Sequence, residues 1–346
     1  MESSRARRGR RARPSRRRPF LPVALAVAAV LGATAGGTVY VKARSLPRTG
    51  AVSSSTATPS VPASGPGDGK VAVEHVTAPE EDHDALLASA MGSVTVPGGA
   101  AVSVAVLAMD SGAAAVYGGS AFDTASIVKV DILAALLLQA QDAGRRLTAA
   151  EKAYAVAMIE DSDNDSASAL WRSIGTAEGL DAANERFGLT DTTGGEGMLW
   201  GLTRTTAADQ LTLLRQVFGD TSELSEASRT YVRGLMGRIA AGQQWGVSAA
   251  ADGSSWALKN GWLPRSATGL WDVDSIGRVT AGGRDYLVAV LSNGNATQAA
   301  GISLVETVAR TAVAVVAGDD AGPASGAPPT PSASASAVAD SASASG

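Results

Sequence analysis

The period at which apolar residues recur changes several times along the chain, and each change marks an element. From Phe20 to Val41 there is no charge at all, and Ala, Val, Leu and Gly dominate. Residues 83–94 read as a first helix. Val102 to Met109 alternates small apolar residues, which predicts a strand, and Ala113 to Tyr117 predicts another after the turn Asp110-Ser111-Gly112. Between 125 and 143 the apolar positions (Ile127, Val128, Val130, Ile132, Leu133, Leu136 to Leu138) recur at helical spacing and on several faces. Such a helix belongs at the centre of a domain. Further helices fit 148–160, 164–174, 176–187, 205–218, 225–240 and 297–316, with Thr205 and Ser225 as N-caps for two of them. Strands fit 256–263, 270–281 and 284–292, the last two joined by a Gly282-Gly283 hairpin. This order predicts an α+β fold: an antiparallel β-sheet flanked by the terminal helices, with an all-helical lobe inserted between the strands.

The ends of the chain read differently. The first 18 residues hold nine Arg. An uncharged run of about 20 residues behind such a block can cross a bilayer, with the basic end in the cytoplasm. Residues 1–19 are thus a basic cytoplasmic segment, and 20–41 a transmembrane anchor or a signal sequence. Arg17-Arg18-Pro19-Phe20-Leu21 resembles a twin-arginine export signal, and Ala33-Thr34-Ala35 fits a cleavage site. The length of the apolar run favours an anchor, and a secreted protein follows if the signal is cleaved. Residues 42–82 are rich in Ser, Thr, Pro, Ala and Gly and read as a disordered linker, and 319–346 as a disordered tail. The folded domain is then 83–318, outside the cytoplasm.

Composition narrows the chemistry. The 346 residues include no Cys and two His, His75 and His83, both ahead of the main folded region. That excludes thiol nucleophiles and Cys-ligated zinc, and leaves little for a Ser-His-Asp triad or a His-rich metal site. The net charge of −4 combines a basic first 48 residues with an acidic remainder, which argues against nucleic-acid binding by the folded part. Catalysis would fall to Ser, Lys, Asp, Glu, Tyr or backbone groups.

Three short motifs supply candidates. Ser126-Ile127-Val128-Lys129 places a hydroxyl and an amine one turn apart at the start of the apolar helix. A lysine in an apolar setting loses its charge more readily and can take a serine proton. Ser162-Asp163-Asn164 lies between two helices, and Lys259-Asn260-Gly261-Trp262 lies in a strand. Glycine inside a strand marks the close approach of a ligand or of another backbone. Only three lysines, Lys129, Lys152 and Lys259, fall within 83–318, and two of them are in these motifs.

The order Ser-x-x-Lys, Ser-Asp-Asn, Lys-x-Gly resembles class A β-lactamases and the penicillin-binding serine peptidases. The resemblance implies that Ser126 is the nucleophile and Lys129 its base. Ser162 would relay a proton to the leaving nitrogen. Asn164 would hold the substrate amide, and Lys259 would draw in a substrate carboxylate. The N–H groups of Ser126 and Trp262 would form an oxyanion hole. Asn260 replaces the family's Thr or Ser, and its carboxamide could still donate to a carboxylate. Trp262 stands where a smaller residue is usual, so the mouth of the site would be narrowed. No metal or cofactor is implied.

The resemblance also raises a question about hydrolysis. Class A enzymes carry a deacylating Glu in a Glu-x-x-Leu-Asn context, whereas here Glu196 sits in Gly194-Gly195-Glu196-Gly197-Met198-Leu199-Trp200. The expected activity is acylation of Ser126 by a β-lactam, with β-lactam hydrolysis, or by a peptidoglycan-derived acyl-D-Ala peptide. A slow D,D-peptidase or esterase and a catalytically silent peptidoglycan-binding or sensor domain are the alternatives. The expected partners are that substrate and the membrane through residues 20–41, with no nucleic acid, and the protein is expected to be a monomer.

Overall fold

The structure, a computed structural model, describes residues 82–253 and 255–318. The basic segment, the apolar segment 20–41, all but the last residue of the linker, and the tail lie outside the described residues. That last linker residue, Asp82, caps the first helix, its carboxylate accepting from the Ala85 N–H at 3.0 Å.

Strands β1 (Ala101–Ala108), β2 (Ala114–Tyr117), β5 (Trp256–Pro264), β6 (Trp271–Ala281) and β7 (Arg284–Asn295) form one sheet in the order β2-β1-β7-β6-β5. Every neighbouring pair is antiparallel. The Gly282-Gly283 turn has φ of +58° and +76°, which glycine adopts without strain and which matches the twist of a hairpin. Successive side chains of a strand point to opposite faces, so each strand feeds two cores. On one face Val104, Val106, Val288 and Val290 pack with α1 (His83–Met91) and α8 (Gln298–Gly318). On the other, Ala105, Leu107, Leu287 and Ala289 pack under the helical lobe. The lobe comprises α2 (Val128–Asp142), α3 (Ala149–Glu160), α4 (Asn164–Ile174), α5 (Thr176–Phe187), α6 (Ala207–Phe218) and α7 (Glu226–Met236). The α+β arrangement matches the expectation.

Helix α2 is the axis of the lobe, buried from Val128 through Leu138. Truncating one of its leucines to Ala would cost about 2–5 kcal/mol. The helix predicted from residue 125 in fact opens with a 3-10 turn, Ala125–Ile127, entered through a left-handed Ala125 (φ 44°). A non-glycine residue in that region is strained, and the strain here turns the chain sharply into α2. The cap of α6 is Thr206, accepting from the Asp209 N–H at 3.1 Å, in place of the expected Thr205. Thr205 belongs to a short ribbon, β4 (Arg204–Thr205) paired with β3 (Phe122–Asp123), which the sequence pattern did not reveal. Ser225 caps α7 as expected, but α7 stops at Met236, four residues early, at Gly237. Helix α8 is long and apolar enough to cross a membrane. Its Leu304, Val305, Val308 and Ala312 are buried against the sheet, as in the core helix of a soluble domain.

Candidate active site

Three segments meet where the lobe joins the sheet: the 3-10 turn with the start of α2, the turn between α3 and α4, and the edge strand β5. Ser126 is half-buried in the 3-10 turn, and its hydroxyl makes no hydrogen bond among the described residues. Lys129 lies one turn further on, fully buried. Its Nζ donates to the Ser162 carbonyl at 2.7 Å, to Ser162 Oγ at 3.0 Å and to Asn164 Oδ1 at 2.8 Å. Ser162 holds that position with φ 57°, a second strained residue at a motif. From the other side Lys259, also fully buried, donates to the same Ser162 Oγ at 3.0 Å. It donates as well to its neighbour's carbonyl, Asn260 O, at 3.0 Å. One hydroxyl therefore bridges two amines.

Burial sets the charge state of this pair. Desolvation draws the Lys129 ammonium down to about 7, against the pull of the Asp163 carboxylate. Lys259 is held well below the usual lysine range, by burial first and then by the charge of Lys129. An amine that is half neutral near pH 7 can accept a proton from a nearby hydroxyl, and Ser162 can pass a proton between the two lysines.

Gly261 explains how the strand comes so close. A Cβ there would stand 2.7 Å from the Thr124 carbonyl and 2.8 Å from the Ser126 N. The close approach expected of this glycine is thus to another backbone, the one that carries Ser126. Asp274 faces Gly261 across the sheet, fully buried, with Oδ1 accepting from the Ser292 N–H and Oδ2 without a partner among the described residues. Burial pushes its carboxyl well up. Beyond it, Arg265 joins Asp123 at 2.6 Å and Asp272 at 3.4 Å.

Two expectations for β5 need correction. Asn260 offers nothing to a substrate carboxylate. It is fully buried, Nδ2 donates to Gln243 O at 2.7 Å and Trp245 O at 3.0 Å, and Oδ1 accepts from Ser275 Oγ at 2.6 Å. Trp262 does not narrow the mouth. Its ring packs on Trp245 at 5.9 Å between centroids, among the residues under α8. Strand alternation is the reason: Lys259 and Gly261 face the lobe, whereas Asn260 and Trp262 face α8. Asn164 opens α4 and is exposed, and its Nδ2 is not hydrogen-bonded among the described residues. Glu196 is exposed in the loop before the 3-10 turn Trp200–Leu202, and its side chain makes no ion pair among the described residues.

The sequence reading missed Trp200, whose ring lies 5.0 Å from Lys129 Nζ, and Gln243, whose backbone and side chain brace Asn260 and Lys259. The one available signal for Trp200 was an aromatic residue closing a glycine-rich loop.

A serine at a strained helix entrance thus stands beside two buried lysines, with no histidine at the site, and the chain is a serine hydrolase by its family. Residues 143–316 match the family model described as the β-lactamase enzyme family, and the chain belongs to that family. The match begins after Ser126 and Lys129 and takes in Ser162, Asn164 and Lys259. Among solved structures, a PBP-A mutant described as an acyl-enzyme complex with penicillin G is 23% identical with a TM-score of 0.56. That likeness covers 66% of this chain and 94% of the other. TLA-1 extended-spectrum β-lactamase is 14% identical at a TM-score of 0.59, over 68% of this chain and 98% of that one. A β-lactamase from Xanthomonas campestris pv. campestris is 22% identical at 0.55, over 67% and 97%. At these identities the likeness establishes the fold. No curated protein sequence matches the chain.

Proposed function

We propose that this protein forms an acyl-enzyme on Ser126 with a β-lactam or an acyl-D-Ala-type peptide and releases the acyl group slowly. The observation that carries the reading is the convergence of two fully buried lysines on Ser162 Oγ beside the Ser126 turn. In this reading neutral Lys129 takes the Ser126 proton as Oγ attacks the carbonyl carbon. The carbonyl oxygen turns toward the Ser126 and Trp262 backbone N–H groups, each worth about 3 kcal/mol in comparable sites. The C–N bond then breaks, and the leaving nitrogen receives a proton from Ser162 Oγ, which Lys129 or Lys259 replenishes. Asn164 Nδ2 holds the substrate amide, and Lys259 supplies positive potential. Water completes the cycle by attacking the acyl carbon.

Slow release is supported by the exposure of Glu196, the acid of the loop that carries Trp200. A loop carboxylate open to solvent is poorly placed to activate a water at the acyl carbon. The penicillin acyl-enzyme described for the PBP-A mutant, which shares the fold, supports the choice of β-lactam as a probe. The nine-Arg block and the uncharged run behind it support a site of action outside the cytoplasm.

Incubating the full chain with a fluorescent penicillin tests the reading. Covalent label on the wild type and none on Ser126→Ala is the expected result. Equal labelling of the two would remove Ser126 from the role of nucleophile. A chromogenic cephalosporin then separates the outcomes of deacylation, with a burst followed by slow turnover expected. Steady turnover without a burst would make the protein an efficient β-lactamase.

A further inference from the structure

The loop at 194–203 is built more firmly than a solvent loop requires. The Gly194 N–H donates to Asp181 Oδ1 at 2.7 Å, and the Gly195 N–H to Thr203 Oγ1 at 3.1 Å. The buried Trp171 donates its indole N–H to the Gly197 carbonyl at 2.7 Å. What this scaffold holds in place is Trp200. Its Nε1 donates to Ser168 Oγ at 3.2 Å, and its ring lies 5.0 Å from Lys129 Nζ.

An ammonium has three N–H bonds, and those of Lys129 meet three acceptors: Ser162 O, Ser162 Oγ and Asn164 Oδ1. The charged form has no N–H left over for water, and the neutral form, the one that can act as a base, is kept from solvent by burial. The aromatic face offers the ammonium a cation–π contact in place of hydration, and Lys129 is wholly inaccessible to solvent.

Hydrolysis of an acyl-enzyme needs a water beside a base. The water oxygen bonds to the acyl carbon, the carbon–Oγ bond of Ser126 breaks, and the water's proton passes through the base to Oγ. With Glu196 exposed, Lys129 is the base at hand, and the indole covers it. We propose that Trp200 is a positioning residue that seals Lys129 from water and thereby makes the Ser126 acyl-enzyme long-lived. The inference rests on the acyl-transfer reading above and adds the element that sets the lifetime of the intermediate. Acylation is expected to depend less on the indole than release does, because Ser126 and Lys129 are carried by the 3-10 turn and the start of α2 and not by the loop, although Gly201 of the loop packs on Ala125 ahead of Ser126.

The test follows the penicillin G adduct of the full chain by intact-mass spectrometry after free penicillin is removed. Trp200→Ala is expected to lose its adduct about tenfold faster or more, with its acylation rate within about threefold of wild type. Trp200→Phe, which keeps a ring over the ammonium, should retain the wild-type lifetime. A change in release without a change in acylation, rescued by Phe, is not what loss of a merely structural residue produces. An adduct on Trp200→Ala that lasts as long as the wild type's overturns the proposal and leaves acyl transfer standing. If Trp200→Ala takes no label, Trp200→Leu is read by the same criterion, and failure of both to label assigns Trp200 a structural role and overturns the proposal. A wild-type chain that never forms an adduct overturns the acyl-transfer reading, and the seal with it.

Discussion

The two faces of β5 carry opposite duties within four consecutive residues. On the lobe side, Lys259 reaches Ser162 Oγ and Gly261 lets the strand press against the Ser126 turn. On the α8 side, Asn260 ties the strand to Gln243, Trp245 and Ser275, and Trp262 stacks on Trp245. One face buries a lysine and so lowers its affinity for a proton, and the other holds the strand still while it does so. A motif read as one functional unit is therefore half reactive and half scaffold. The division follows from the pleat, which sends alternate side chains to opposite sides.

Substitutions on the two faces should separate cleanly. Of the two faces of β5 the lobe side should have the larger effect on chemistry, where Lys259→Ala should slow acylation by penicillin about 10²- to 10⁴-fold, read as the rate of adduct formation. A rate within tenfold of wild type would remove Lys259 from the proton path. Asn260→Ala should do the reverse. It strands the Gln243 and Trp245 carbonyls and Ser275 Oγ, so unfolding in urea should show a loss of about 2–4 kcal/mol, with the acylation rate of the folded protein nearly intact.

Lys129 offers a comparison in pH. Its folded-state value of about 7 lies below the ordinary 10.5, so below pH 7 the charge is present in both states and its burial penalises the fold in full. Between about 7 and 10.5 the unfolded chain holds more proton than the folded one, and stability rises with pH. Lys129→Met strands the three acceptors of Nζ, but relative to the wild type its stability should be more favourable at pH 6 than at pH 10, by on the order of a few kcal/mol, while acylation is abolished. In the wild type, acylation should climb as pH rises through about 7. A melting-temperature change that is the same at both pH values would show that Lys129 titrates normally.

Trp262→Phe should cost about 1 kcal/mol through the lost contact with Trp245 and leave labelling within about threefold. A large loss of labelling would bring the indole back into the cleft. The smallest effect is expected from Glu196→Gln, where turnover should stay within about twofold because the carboxylate is exposed. Loss of turnover with acylation intact would make Glu196 the deacylating base.

Much of this was legible in the chain. The order of helices and strands, the Gly282-Gly283 hairpin, the Ser225 cap and the buried α2 all follow from local periodicity and turn chemistry. The ribbon of Phe122–Asp123 with Arg204–Thr205 was invisible because two-residue strands have no period to detect, and it moved the α6 cap from Thr205 to Thr206. Trp200 was missed because nothing within its own loop records that Lys129 lies across from it.

The sequence by itself determined the chemistry available: no Cys, two His, and lysines placed in Ser126-x-x-Lys129 and Lys259-Asn260-Gly261. It also determined the elements on which these residues ride, because periodicity and capping are properties of a few neighbouring residues. Tertiary structure decided which atoms meet. Lys129 and Lys259 converge on a serine 33 and 97 positions away. Their lowered affinity for protons comes from burial by packing elements remote in the chain. Whether Asn260 or Lys259 faces the site was likewise settled by which side of β5 meets the lobe and which meets the segment carrying Gln243 and Trp245. Desolvation and facing depend on contacts between distant segments, and those contacts exist only once the chain has folded.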